Sequence, residues 1–184
     1  MRANTTQFAL LGMLSLRPMS GYDIRKTVQG SIAFFWTESY GQIYPMLKQL
    51  SAEGLVKPVR AESSGRRNRN VYALTPKGRT RLRAWLAEPV GQEPARSELL
   101  LKIFFARHMD KSEVAGHLQR TRAEHHRLLE RYAAVERKLK SEHGGHPDLP
   151  YWLATLRFGQ LRSEAIVRWC DETAASITRK RGQP

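Results

Sequence analysis

The chain has 184 residues, of which 41% are hydrophobic and 26% charged, with a formal net charge of +14. That composition supports one large or two small folded domains and excludes a compositionally disordered chain. A single cysteine, Cys170, excludes an intrachain disulfide and any multi-cysteine zinc site, and fits a reducing, cytoplasmic setting.

The charge favours a polyanionic partner. It is uneven: residues 1–88 carry 14 Lys/Arg against 5 Asp/Glu, and residues 89–184 carry 17 against 12. No apolar run approaches the roughly 18 residues needed to span a bilayer. Met1–Leu16 lacks a charged start feeding a long apolar stretch with a cleavage site, so it does not read as a signal peptide.

Thr5 or Thr6 opens a first helix that holds Phe8, Leu10, Leu11, Leu14 and Leu16 and ends at Arg17-Pro18, since a residue before proline leaves the α region. Ser20 caps a second helix over about Gly21–Gln29, stopped by Gly30. A connector with Ile32, Phe34, Phe35 and Trp36 is expected to tuck against a core. Ser39 caps a third helix, with Gln42 completing a capping-box pattern and Ile43, Met46, Leu47 and Leu50 as the inward stripe. Pro45 is awkward there, because an interior proline costs roughly 3 kcal/mol. Either the helix begins near Pro45 or its first turn is bent, and the bent turn is the expectation. Gly54 closes the helix.

Leu55–Arg60 and Asn70–Leu74 read as two short strands joined by a basic tip with Arg66, Arg67 and Arg69. Thr75-Pro76 starts a fourth helix with Leu82, Trp85 and Leu86 inward, ending at Glu88-Pro89. Residues 89–95 are a linker between a domain at 1–88 and a helical one at 96–178, and 179–184 form a basic tail. The helical part begins with Arg96–His108. Next comes a long helix over about Lys111–Glu142, capped by Asp110 and Glu113. Its seam is Val114, Leu118, Thr121, His125, Leu128, Tyr132, Val135 and Leu139, in steps of four and three. A Gly-Gly-His-Pro break leads to a last helix over about Leu149–Ile177, with Trp152, Leu156, Gly159, Ser163, Ile166, Cys170, Thr173 and Ile177 at the same spacing.

Helix, connector, helix and hairpin in this order define a winged helix-turn-helix, so the fold class is mainly α with a small β-hairpin, followed by a helical dimerisation domain. A major groove about 12 Å wide admits a helix. The outward face of the third helix offers Tyr40, Gln42, Tyr44, Lys48 and Gln49 to DNA. Gln can pair with adenine and Lys with guanine or phosphate, while Tyr hydroxyls more often hold phosphates. Arg60, Arg66, Arg67 and Arg69 on a thin hairpin suit a narrow minor groove.

The motifs FALLGMLSLRPMSGYDIRK, IYPMLKQLSAEGLV and VYALTPKG resemble the PadR family of bacterial transcriptional regulators, over residues 7–86. RSELLLKIFFARHM and GQLRSEAIVRW are similar to the helical C-terminal domain of the PadR subgroup that includes virulence-gene activators, and together the resemblance spans about residues 5–177. It implies a homodimer on a two-fold symmetric operator, with the C-terminal helices making the dimer. It also implies that Tyr44, in the Tyr-Pro motif, and the basic residues of the wing lie near DNA; some members of the family respond to phenolic acids or to hydrophobic drugs. Independently, a seam that includes Thr121, His125 and Tyr132 needs cover. Both long helices are expected to pack across a two-fold, with Trp152, Leu156 and Ile166 joining the interface and an intrachain bundle as the alternative.

Trp36, Trp85, Trp152 and Trp169 read first as core residues and second as the lining of an apolar effector pocket. His143, His146 and the His125-His126 pair lack an acidic or thiol cluster at ligand spacing, so no metal or cofactor is expected. No nucleophile–base pair or phosphate loop is present, which disfavours an enzyme. The leading expectation is a dimeric, cytoplasmic repressor of transcription that binds operator DNA. The rival is a ligand-sensing or protein-interaction scaffold whose winged module docks protein.

Overall fold

A computed structural model describes residues 5–36, 39–59, 70–91 and 96–178. The chain divides into two compact units, Met1–Gln92 and Glu93–Pro184.

In the N-terminal unit, helix α1 (Thr5–Leu16) buries Phe8, Leu10, Leu11, Met13 and Leu14 around most of its circumference. A helix apolar on so many sides belongs at the centre of a core, and α1 packs against the elements that follow it. Pro18 ends it and a two-residue strand follows, β1 (Met19–Ser20). Helix α2 (Gly21–Ser31) is capped by Ser20, whose Oγ accepts from the Asp23 amide at 3.2 Å while Asp23 Oδ2 accepts from the Ser20 amide at 3.1 Å. The helix runs through Gly30 and ends just beyond the glycine expected to stop it. In the connector, Ile32 packs on the core but Phe35 is exposed, against expectation; it makes an edge contact with Phe34 instead.

Helix α3 (Tyr40–Ala52) starts at Tyr40 with Pro45 inside it, which excludes a start at Pro45. Pro45 has no amide hydrogen to return to the Gly41 carbonyl, and Gly41 is itself exposed. Ile43, Met46, Leu47 and Leu50 are all buried, as their spacing predicts. The helix closes in a Schellman motif: Leu55 N donates to Leu50 O at 2.9 Å, and Gly54 N to Ser51 O at 3.1 Å. Gly54 sits at φ 70°, where glycine meets no steric penalty.

Strands β2 (Val56–Val59) and β3 (Val71–Leu74) pair antiparallel, Val56 opposite Leu74 and Val59 opposite Val71. β1 adds to the other edge of β3, Met19 opposite Tyr72 and Ser20 opposite Val71, giving the order β1-β3-β2. Helix α4 (Pro76–Leu86) is capped by Thr75, whose Oγ1 accepts from Gly78 N at 3.1 Å. Trp85 stacks on Phe8 with ring centroids 4.4 Å apart and planes 4° from parallel. Leu86, expected inward, is 69% exposed, because α4 presents only Leu82 and Trp85 to the core.

The C-terminal unit opens with α5 (Glu98–Phe104) and a 3-10 turn at Ala106–His108, in place of the single helix that the sequence predicts. The long helices α6 (Lys111–His143) and α7 (Leu149–Thr178) follow, α6 capped by Asp110, whose amide donates to Glu113 Oε2 at 2.9 Å. They run antiparallel. Leu118 clusters with Cys170, His125 meets Ser163, Glu136 meets Gln160 and His143 meets Trp152.

Candidate nucleic-acid interface

The inward side of α3 is closed by the core, so its remaining side chains face outward. Tyr44 is 51% exposed, and Lys48 and Gln49 are exposed. Gln42 is exposed too, but its Oε1 accepts from both the amide and the hydroxyl of Ser39, at 3.1 and 2.9 Å. Both lone pairs are thus engaged in starting the helix, and pairing with adenine requires that cap to open. Gln49 donates through Nε2 to Glu53 Oε1 at 2.8 Å. Tyr44 and Lys48 are the other outward candidates on α3. The side chain of Tyr40, and Arg60, Arg66, Arg67 and Arg69 on the hairpin, lie outside the described residues. What is described of the hairpin is its base, where Lys57 and Asn70 are exposed.

The hairpin base and α3 are held together from two sides. Thr75 Oγ1 lies 2.8 and 3.0 Å from the carbonyl oxygens of Gly54 and Leu55, and Lys77 Nζ donates to the Glu53 carbonyl at 2.8 Å. A cation at the last carbonyls of α3 also complements the helix dipole. On the other side, β1 fastens the start of α2 to β3, and Gly21, the first residue of α2, lies against the Tyr44 ring. Neither Gly21 nor β1 carries a signal in the sequence beyond the turn residues around Pro18.

The seam residues of α6 and α7 are brought together, but by one chain. Val114, Leu118, Tyr132 and Leu156 are buried within it, and Thr121, His125, Leu128, Val135, Leu139, Trp152 and Ile166 are part-covered. Antiparallel helices joined by a short turn cover much of each other's stripes within one chain. What α7 leaves outside is a second stripe, Tyr151, Ala154, Phe158, Leu161 and Ala165, all exposed and also spaced by threes and fours.

The four tryptophans are divided between the two units. Trp85 stacks on Phe8 in the N-terminal unit, where Trp36 also lies. Trp152 stacks on His146 at 4.6 Å and Trp169 packs beside Cys170. Trp152 and Trp169 are separated along α7 by roughly 26 Å at 1.5 Å per residue, too far for one small ligand. His143 and His146 pack on Trp152, and among the described residues no group of three His, Cys, Asp or Glu could hold a metal ion. Among the same residues no helix is long and apolar enough to cross a membrane.

A winged helix-turn-helix unit followed by an antiparallel helical unit is the architecture of a class of DNA-binding regulators. Residues 10–84 match the transcriptional regulator PadR-like family, and residues 95–178 match the virulence activator alpha C-term family. The chain thus carries a PadR-like domain followed by a virulence activator alpha C-term domain, and its relatives are transcriptional regulators rather than enzymes. It is 27% identical over 184 residues to the probable transcriptional regulator Rv1176c of Mycobacterium tuberculosis, covering 94% of this chain and 97% of that one. It is 27% identical to the negative transcriptional regulator PadR of Bacillus subtilis, covering 93% and 96%. The structure of that PadR with operator DNA superposes with a TM-score of 0.83, at 26% identity, over 95% of this chain and 99% of that one. A structure of the same relative with p-coumaric acid gives 0.76 at 26% identity, over 95% and 96%. The Vibrio cholerae virulence activator AphA gives 0.75 at 26% identity, over 94% and 97%.

Proposed function

We propose that this regulator is a homodimer that binds a two-fold symmetric operator. Each copy sets α3 in a major groove and lays Arg66, Arg67 and Arg69 along the adjacent minor groove. The observation that carries this reading is α3 itself: one side is closed by the core, and the other presents Tyr44 and Lys48 outward beside the base of a hairpin whose tip is arginine-rich. The operator complex of the Bacillus relative supports it. The alternative of a protein-docking module has no comparable observation behind it.

The second copy is placed on the outer stripe of α7. An apolar row running from Tyr151 to Ala165 on a two-unit chain is the kind of surface a second identical helix covers, and an antiparallel pairing around Phe158 and Leu161 satisfies two-fold symmetry. Two heads so related read half-sites about one helical turn apart, or a multiple of it. The Bacillus relative is named a negative regulator and was solved with p-coumaric acid. By that likeness we assign repression as the sign and a small aromatic or hydrophobic molecule as the effector that releases DNA.

Replacing Arg66, Arg67 and Arg69 together by Ala tests the wing. Affinity should fall on every duplex tried, and the slope of log K against log salt should flatten by about 0.9 for each phosphate that the arginines no longer neutralise. A triple variant with unchanged affinity and slope contradicts the placement.

A further inference from the structure

Resting on the reading that Tyr44 faces DNA, we infer that Gly21 is a positioning residue for recognition: the side chain it lacks is the space in which the Tyr44 ring lies. A Cβ built on Gly21 would sit 2.8 Å from Tyr44 Cε1, 3.0 Å from Cζ and 3.3 Å from Cδ1. Those distances lie below ordinary carbon–carbon contact, so any side chain here must move the ring. Cζ carries the phenol oxygen, so displacing it displaces the group that would meet a phosphate or a base edge.

The seat itself is fixed. Gly21 is buried at the first position of α2, directly after the Ser20 cap, and Ser20 is paired with Val71 of β3. Tyr44, by contrast, is half exposed on α3. Backbone conformation does not demand a glycine: among the described glycines only Gly54 has a positive φ. Nor does the helix, because Ala is the better helix former. The close approach of the ring is the reason that remains. Because β3 also leads out of the hairpin, the seat fixes Tyr44 relative to the base of the wing, so that both DNA-facing parts share one register.

The experiment is a two-by-two set in the full chain: wild type, Gly21→Ala, Tyr44→Ala and the double variant. Each is titrated with an operator fragment selected from genomic DNA on the wild-type protein and with a random duplex of equal length, and each is melted. Gly21→Ala should lower operator affinity about tenfold, leave random-duplex affinity within about twofold, and melt no lower than wild type. In the Tyr44→Ala background the same substitution should change operator affinity by less than about twofold. Gly21→Ser should lose at least as much as Gly21→Ala. An equal loss from Gly21→Ala in both backgrounds, or a lowered melting temperature that Tyr44→Ala does not relieve, overturns the inference. Tyr44→Ala losing affinity while Gly21→Ala does not overturns the inference alone; Tyr44→Ala binding like wild type overturns it together with the DNA-facing role of Tyr44.

Discussion

The Nδ1 atom of His125 lies 3.0 Å from the Oγ atom of Ser163, a polar link between α6 and α7 in the middle of an apolar seam. Ser163 is only 2% exposed, so its hydroxyl depends on that ring for a partner. His125→Ala should destabilise the C-terminal unit by about 1–3 kcal/mol, the cost of an unsatisfied buried hydroxyl plus the loss of packing. Chemical denaturation of the variant checks this, and a change near zero would mean that water replaces the ring.

The same pair makes stability depend on pH. Burial pushes the His125 pKa below its ordinary 6.5, the Arg162 charge adds to this, and Glu124 opposes it. The unfolded chain then takes up a proton near 6.5 while the folded chain resists it. The stabilisation is complete above 6.5 and is lost as pH falls from there through the folded value. Wild type should lose more melting temperature between neutral and mildly acidic pH than His125→Asn does. Parallel curves would contradict the assignment.

Gly78 is a second close approach, here to backbone. A Cβ at this position would lie 2.0 Å from the Leu55 carbonyl oxygen, which also accepts the Thr75 amide. Gly78→Ala places a better helix former in α4, yet the N-terminal unit should lose about 3 kcal/mol, since the carbonyl cannot retreat without opening the start of β2. A neutral or stabilising result in a melting experiment would contradict the geometry.

Much of this is legible in the sequence wherever a cap and a stripe coincide. Ser20, Thr75 with Pro76, and Asp110 with Glu113 mark helix starts, and Ile43, Met46, Leu47 and Leu50 mark the inward side of α3. Other features depend on neighbours distant in sequence. β1 is two residues long and exists through its register with Val71 and Tyr72. The glycines at 21 and 78 are set by a ring and a carbonyl on other elements. Periodicity shows that α6 has a seam but not which helix covers it, and residue type alone cannot separate Gln42 as a reader of adenine from Gln42 as the cap of its own helix.

If the second copy sits on the outer stripe of α7 as proposed, the two stripes of that helix separate folding from assembly. Phe158, 64% exposed, and Leu161 lie on the outer stripe, and Leu118 is buried against α7. Phe158→Asp with Leu161→Asp should give a monomer by sedimentation that still unfolds in a cooperative transition. Leu118→Asp should instead unfold the C-terminal unit, since an unpaired charge in a core costs several kcal/mol, on the order of 3–5. A dimer that persists in the outer-stripe variant would place the interface elsewhere.

The central claim is that α3 and the hairpin read a particular DNA sequence as a symmetric pair. Selection of genomic fragments on the purified protein, followed by sequencing of what is retained at moderate salt, measures this directly. Enrichment of one palindrome, with its half-sites about a helical turn apart or a multiple of it, is the predicted result. Retention of no DNA, or of DNA without sequence preference, would contradict the claim.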